Sequence, residues 1–259
     1  MADYDLLARH YDAVTGDSST ETAFIDSLIR QCNGQAVTLL EVACGTGGVI
    51  APLAGRYKVS GLDISAGMLA VARAKLPEGT PLYLADMSGF RLDATFDAII
   101  CVYHGVNHLL GFAAWEGFFD CAHQHLNDGG VLIFDIYTTG YLQRMTGSPE
   151  ILQQFDDNEL RIKVRAAGGG VFEWNIEVSA PRPGGRNELL TEVIRTTSFP
   201  LPEVTEALGA RFADISVIES SSGDADDEDG NRTWFVCTKP TRRGSQLSRR
   251  YPWPAGVGG

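Results

Sequence analysis

The sequence predicts an α/β protein: a doubly wound, mostly parallel sheet of seven strands with an antiparallel β subdomain inserted near its end. Three observations predict it. Short apolar runs alternate with amphipathic helical stretches between residues 37 and 137, as in a parallel sheet covered on both faces. The alternation then gives way to longer runs with partial period-two patterning, the mark of an antiparallel meander. Two more strand-like runs, 214–219 and 233–239, follow a last helical stretch and complete the main sheet.

At 259 residues the chain suits one core with an insertion. The expected division puts residues 1–137 and 200–240 in the core, 138–199 in a β-rich insertion over an acceptor pocket, and 241–259 in a disordered tail. The formal net charge of −12 argues against nucleic acid as a partner, because phosphate binding needs clustered Lys and Arg. Such clustering occurs only in the last stretch, at Arg242, Arg243, Arg249 and Arg250. No run approaches the ~18 apolar residues of a membrane span. The start, Met1-Ala2-Asp3-Tyr4-Asp5, lacks the basic-then-apolar order of a signal peptide, so cytoplasmic residence is expected. The cysteines Cys32, Cys44, Cys101, Cys121 and Cys237 are scattered without a CxxC pair, so neither a metal site nor a disulfide framework is expected.

The elements follow in order. Residues 4–15 place Tyr4, Leu7 and Tyr11 on one helical face. Residues 18–32 form an amphipathic helix, capped by Ser19 or Thr20, with Phe24, Ile25, Leu28 and Ile29 inward and Asn33-Gly34 as its stop. Strands are expected at 37–43, 58–64, 81–85, 95–103 and 131–136. Helices between them run over 49–54, from the Ser65 cap to Lys75, and over 113–126, where Asn127-Asp128-Gly129-Gly130 stops the chain. Three meander strands, 160–166, 171–179 and 189–199, are separated by Gly168-Gly169-Gly170 and by the turn Pro181-Arg182-Pro183-Gly184-Gly185. A helix at 201–208 starts around Pro202 and is capped by Gly209. The acidic loop from Asp224 to Asp229 fits a solvated hairpin and has no calcium-loop spacing.

Leu39-Leu40-Glu41-Val42-Ala43-Cys44-Gly45-Thr46-Gly47-Gly48 reads as a buried strand running into a glycine turn that lets backbone approach a ligand closely. Acids end three successive strands: Glu41, Asp63 and Asp86. Asp63 can accept both hydroxyls of a ribose. Asp86 can accept from the exocyclic amine of adenine, with Met87 against the ring. A dinucleotide would want G-x-G-x-x-G, whereas Ile50 holds the third position and Glu41 would repel a pyrophosphate. S-adenosylmethionine, with an ammonium and a sulfonium, suits both Glu41 and the negative chain.

Glu41-Val42-Ala43-Cys44-Gly45-Thr46-Gly47, Gly61-Leu62-Asp63-Ile64-Ser65 with Met68, Leu84-Ala85-Asp86-Met87 and Phe96-Asp97-Ala98-Ile99 together resemble the successive motifs of class I S-adenosylmethionine-dependent methyltransferases. The resemblance covers about residues 37–137 and implies a Rossmann-like sheet. The start Tyr4-Asp5-Leu6-Leu7-Ala8-Arg9-His10-Tyr11-Asp12 and the β-rich insertion are similar to the small-molecule branch that includes amino-sugar N,N-dimethyltransferases and glycine N-methyltransferase-like enzymes. It implies Tyr11 over the methionine end of the cofactor, Glu41, Ala43, Gly45 and Gly47 around it, and Asp63 on the ribose. Ile64, Met68, Asp86 and Met87 would complete the adenosine site, with Val102 touching the cofactor by its carbonyl. Ala43 departs from the family, where many members have glycine.

Transfer to a hydroxyl or a protonated amine needs a base. His104, with Tyr103 as orienter, is the first candidate, and His108 one helical turn on is the second; His123 and His125 read as structural. Tyr137, Tyr141, Trp174 and Arg195 are candidates for walls of a small-molecule acceptor pocket. The sequence leaves the acceptor atom, N or O, and the oligomeric state open, a homodimer included. Two rivals share the fold: a non-catalytic adenosyl-ligand binder and an NAD-dependent reductase, the latter disfavoured by the glycine spacing.

Overall fold

The structure, a computed structural model, describes Tyr4 and residues 7–181, 187–219 and 232–241. The acidic loop at 224–229, the tail beyond Thr241 and the turn residues 182–185 lie outside them. The chain forms β1 (Thr38–Val42), β2 (Lys58–Asp63), β3 (Leu82–Leu84), β4 (Phe96–Cys101) and β5 (Leu126–Tyr137), then β6 (Ile151–Phe155), β7 (Asn158–Gly168), β8 (Val171–Pro181) and β9 (Asn187–Thr197), and last β10 (Asp214–Glu219) and β11 (Arg232–Thr238). Seven strands make one sheet in the order β10-β11-β5-β4-β1-β2-β3. β1 to β5 pair parallel, and β11 pairs antiparallel with both β5 and β10. From β1 the chain moves outward to β3, then returns across the sheet to β4. A crevice therefore opens beyond the carboxyl ends of β1 and β4, where ligands of open α/β sheets bind.

Helices cover both faces. On one side lie α2 (Ser19–Cys32), α3 (Ile50–Leu53) and α4 (Ala66–Lys75), whose Ile25, Leu28, Ile29, Leu53 and Leu69 pack on Leu39, Ile100 and Ile133. On the other lie α5 (Phe112–His125) and α7 (Leu201–Gly209). Trp115, Phe118, Phe119 and Ala122 of α5 recur at helical spacing and are fully buried against Phe134 and Phe235. Each of the large apolar side chains contributes about 1.5–3 kcal/mol by leaving water. The remaining helices are α1 (Tyr11–Thr15) and α6 (Thr139–Gly147).

Several local expectations are corrected. Residues 4–15 do not make one helix: the 7–10 stretch is turn, and helix begins only at Tyr11. Leu7 packs into the core of the second sheet while Tyr11 lines a cavity, and positions four apart on one helix would share a face. The N-cap of α2 is Ser18, not Ser19 or Thr20, and its hydroxyl donates to the Gly48 carbonyl at 3.0 Å instead of capping; Asp17 Oδ1 accepts the Ser19 N–H at 3.0 Å. α5 ends at His125 and β5 starts at once, so Asn127 to Gly130 form a bulge between the pairs Phe96–Leu126 and Ala98–Val131 instead of a loop. Gly209 is the last residue of α7, and Ala210 follows as cap. Ser65 caps α4 as expected, its Oγ accepting the Met68 N–H at 3.1 Å.

β6 to β9 form a separate antiparallel sheet in chain order. Neither β6 nor α6 is expected from the sequence pattern. Ile-Leu-Gln-Gln-Phe in β6 has no alternation, and the one sign of α6 is Thr138, whose Oγ1 accepts the Tyr141 N–H at 3.2 Å. The inner face of this sheet buries Phe155, Leu160, Ile176, Val178 and Ile194 with Leu7. Asn107, fully buried, ties it to the main sheet: Nδ2 donates to the Thr197 and Tyr137 carbonyls at 2.6 and 3.2 Å, and Oδ1 accepts the Tyr137 N–H at 2.9 Å.

Candidate active site

β1 ends at Val42 and the chain reverses through a run of left-handed residues, with φ of 55° at Ala43, 52° at Gly45 and 75° at Gly47. The turn is fixed by Cys44 N–H to the Leu62 carbonyl (3.0 Å) and Gly47 N–H to the Cys44 carbonyl (2.8 Å). β2 ends in Asp63, which is buried and bridges two backbones: Oδ2 accepts the Gly45 N–H at 2.7 Å and Oδ1 the Ser65 N–H at 2.8 Å. Asp86, exposed past β3, turns Oδ1 to the Ser88 N–H and hydroxyl, both at 2.8 Å.

These strand ends enclose a cavity of about 520 Å³. Its lining includes Tyr11, Glu41, Ala43, Gly45, Asp63, Ile64, Met68, Asp86, Met87, Val102 and Tyr103. Two expected residues lie elsewhere. Gly47 faces α4: a Cβ built on it would stand 3.4 Å from Ala72 Cβ and from Leu76 Cδ1. His104 is turned away from the cavity. Tyr103 and His104 are consecutive left-handed residues, with φ of 54° and 61°, and this reversal drives the His104 ring onto Tyr137, stacked with centroids 3.4 Å apart. Its Nε2 lies 3.2 Å from Oδ2 of the fully buried Asp135, which also accepts from Arg232 Nε at 2.8 Å. His104 belongs to a structural network that holds a strained turn. Tyr141 and Trp174 join Tyr137 in the same aromatic cluster, and Arg195 is paired with Glu173, so none of the four suggested acceptor walls lines this cavity.

The cavity also takes in His108, Tyr4 and Asp12. His108 ends the single 3-10 turn Gly105–His108, and its Nδ1 is shut from solvent with no hydrogen-bond partner among the described residues. Burial holds the imidazole down to about 4, against the weaker upward pull of a hydrogen bond to the Arg195 backbone. Tyr4 packs edge-on against both Tyr11 and His108, with centroids 5.7 and 5.5 Å away. Asp12 fastens α1 to the glycine turn: Oδ1 accepts from Thr46 Oγ1 at 2.6 Å, and Oδ2 pairs with Lys75. The paired Tyr-Asp at 11 and 12 was the available signal for that latch.

The electrostatics suit a cationic ligand. Glu41 is buried and its Oε2 has no partner among the described residues. Burial first, then the Asp63 charge, push its carboxyl well above the usual range, against the Ile50 N–H. Burial and the neighbouring Glu41 and Asp63 likewise push the Tyr11 phenol up to about 12. No Lys or Arg is among the residues lining the cavity. An ammonium placed at Glu41 would remove the repulsion and supply the missing donor, so the residues present fit S-adenosylmethionine. Among the described residues no group of His, Cys, Asp and Glu could hold a metal ion, and no helix is long and apolar enough to cross a membrane.

Comparison with known proteins finds methyltransferases. Residues 39–130 match the family model of a methyltransferase domain. A Streptomyces fradiae protein, dTDP-3-amino-3,6-dideoxy-alpha-D-glucopyranose N,N-dimethyltransferase, is 34% identical over 154 residues, 55% of this chain and 60% of its own length. The match thus spans less than two thirds of that relative. A sugar N-methyltransferase from a Streptoalloteichus species superposes with a TM-score of 0.76 at 26% identity, over 92% of this chain and 93% of its own. An S-adenosylmethionine-dependent methyltransferase from Clostridium acetobutylicum shares the fold with a TM-score of 0.78 at 21% identity, covering 92% and 99% of the two chains.

Proposed function

We propose, for a chain that carries a class I S-adenosylmethionine-dependent methyltransferase domain, that it methylates the amine of a small molecule such as an amino sugar or a natural-product intermediate. The observation that carries this reading is the buried Glu41 carboxyl, whose Oε2 has no partner among the described residues, set beside Asp63 and the glycine turn at the switch point of the sheet. When bound, the cofactor supplies a methyl group already activated on a sulfonium. Glu41 would hold its ammonium, Asp63 its ribose hydroxyls, and Asp86, Met87 and Ile64 its adenine. Tyr4 and Tyr11 would roof the methyl end and exclude water, leaving alignment as the main task of the protein. The second sheet would cover the acceptor.

His108 fits an amine better than a hydroxyl. A neutral amine needs no proton removed before it attacks, and the substituted ammonium is acidic enough to shed one afterwards. An imidazole held at about 4 is too weak a base to strip an alcohol. His108 lines the cavity with its Nδ1 unpartnered among the described residues, suited to accepting a hydrogen bond from the amine N–H; the proton itself passes to solvent. The amino-sugar class follows the names of the relatives, and the five unpaired cysteines suit a reducing cytoplasm. Calorimetry with S-adenosylhomocysteine tests the cofactor site, and absence of binding would refute it. Homocysteine release over a panel of amino sugars tests the transfer. Binding without transfer to any amine or hydroxyl in the panel would leave a binding protein of the same fold.

A further inference from the structure

Gly105 is buried where the chain leaves the strained Tyr103–His104 reversal and begins the turn that ends in His108. A Cβ built on Gly105 would stand 3.1 Å from Ala43 Cβ and 2.8 Å from Cys101 Sγ. Contacts under about 3.0 Å essentially never occur between real Cβ atoms and their neighbours. Ala43 in turn bears its Cβ at a φ of 55°, a conformation that glycine adopts more readily. One methyl group therefore stands between two backbones, supplied from position 43 and left out at position 105.

We infer that Ala43 and Gly105 are a size-matched pair of positioning residues that set the distance of the Gly105–His108 turn, and with it His108 Nδ1, from the floor of the cofactor cavity. The turn has little room to yield on its other side. Asn107 is held by Thr197 and Tyr137 through three hydrogen bonds, and the Leu109 carbonyl accepts from Thr197 Oγ1 at 2.7 Å. A methyl group added at Gly105 cannot slide the turn along the sheet; it must tilt the turn against its anchors at Asn107 and Leu109, and His108 between them is carried with it. Ala43 and Gly105 both line the cavity, so the tilt is felt where the methyl group would be transferred.

The inference rests on the methyltransferase reading for its kinetic arm only. Gly105→Ala is expected to lower kcat about 10- to 100-fold while S-adenosylhomocysteine affinity falls less than 5-fold, because a sub-ångström misplacement affects transfer more than binding. Adding Ala43→Gly should restore part of that loss, and adding Cys101→Ala, which removes the closer of the two contacts, should restore at least as much. Wild-type kcat in Gly105→Ala, or a loss that Ala43→Gly leaves untouched, would overturn the pairing. The arm independent of activity is a thermal-denaturation cycle on wild type, Ala43→Gly, Gly105→Ala and the double variant. Coupling should appear there as a double variant melting above the Gly105→Ala single variant, and additive shifts would overturn it. A Gly105→Ala chain that does not fold still leaves the double variant, whose recovery supports the pair and whose failure to fold counts against it. If wild type binds no S-adenosylhomocysteine, the functional reading fails while the melting cycle still judges the pair.

Discussion

Glu41, buried, and His108, half-buried, are two titratable groups pushed in directions that favour their neutral forms. For Glu41 the folded pKa lies above the unfolded one, so the native chain holds a proton that the unfolded chain has released. Its penalty on stability is absent at pH below the ordinary value of 4.5 and grows as pH rises through the raised folded value. Glu41→Gln should therefore melt higher than the ligand-free wild type, by a margin that widens with pH above 4.5 and that differential scanning fluorimetry reads. The same change should weaken S-adenosylhomocysteine binding by about 10- to 100-fold in calorimetry, the cost of one charge-assisted hydrogen bond. For His108, titration at about 4 leaves the acid limb of kcat/KM near neutral pH to the acceptor amine alone. His108→Ala should lower kcat by about 10- to 100-fold without moving that limb. His104→Ala should instead act through stability, because it leaves Asp135 with one fewer partner.

At the scale of elements, α1 works as a latch. Asp12 ties it to Thr46 and Lys75, Ser18 ties the following turn to Gly48, and the Val14 carbonyl accepts from Gln153 Nε2 of β6 at 3.0 Å. The Asp12–Lys75 pair is partly exposed, so its share is small and screened by salt. Asp12→Ala should accelerate S-adenosylhomocysteine release about 3- to 10-fold in stopped flow, and the rate should depend less on salt than in wild type. The latch also marks how much the sequence disclosed. Strands with their own apolar periodicity, such as β2, β10 and β11, could be placed to within a residue or two, and so could the acids at the strand tips. These depend on local pattern and on the known exit point of a parallel sheet. What resisted was set by distant partners. Tyr4 and Leu7 are separated from a single helix by their contacts in the second sheet, and His104 is pulled from the cavity by Asp135 and Tyr137, some thirty residues on. β6 has no alternation to read, because its position comes from pairing with β7.

Across the whole molecule, Asn107 ties the two sheets together. Asn107 is fully buried and spends both of its polar atoms on Tyr137 and Thr197, the end of β5 and the end of β9. Asn107→Leu removes three hydrogen bonds, leaving the Tyr137 carbonyl its bond from Ser198 Oγ but taking a partner from the Thr197 carbonyl and the Tyr137 N–H, at a cost of about 2–4 kcal/mol. A fall in Tm of about 5–10 °C is expected, with a larger rise in acceptor KM than in cofactor Kd, since the sheet that would cover the acceptor loses its tie. The strand order has a separate consequence for synthesis. β11, late in the chain, lies inside the sheet between β5 and β10, and its Arg232 neutralises the fully buried Asp135. A nascent chain must therefore wait with the hydrogen-bonding rim of β5 bare, and with Asp135 short of its guanidinium partner, until residues 232–238 have left the ribosome and can thread into the gap.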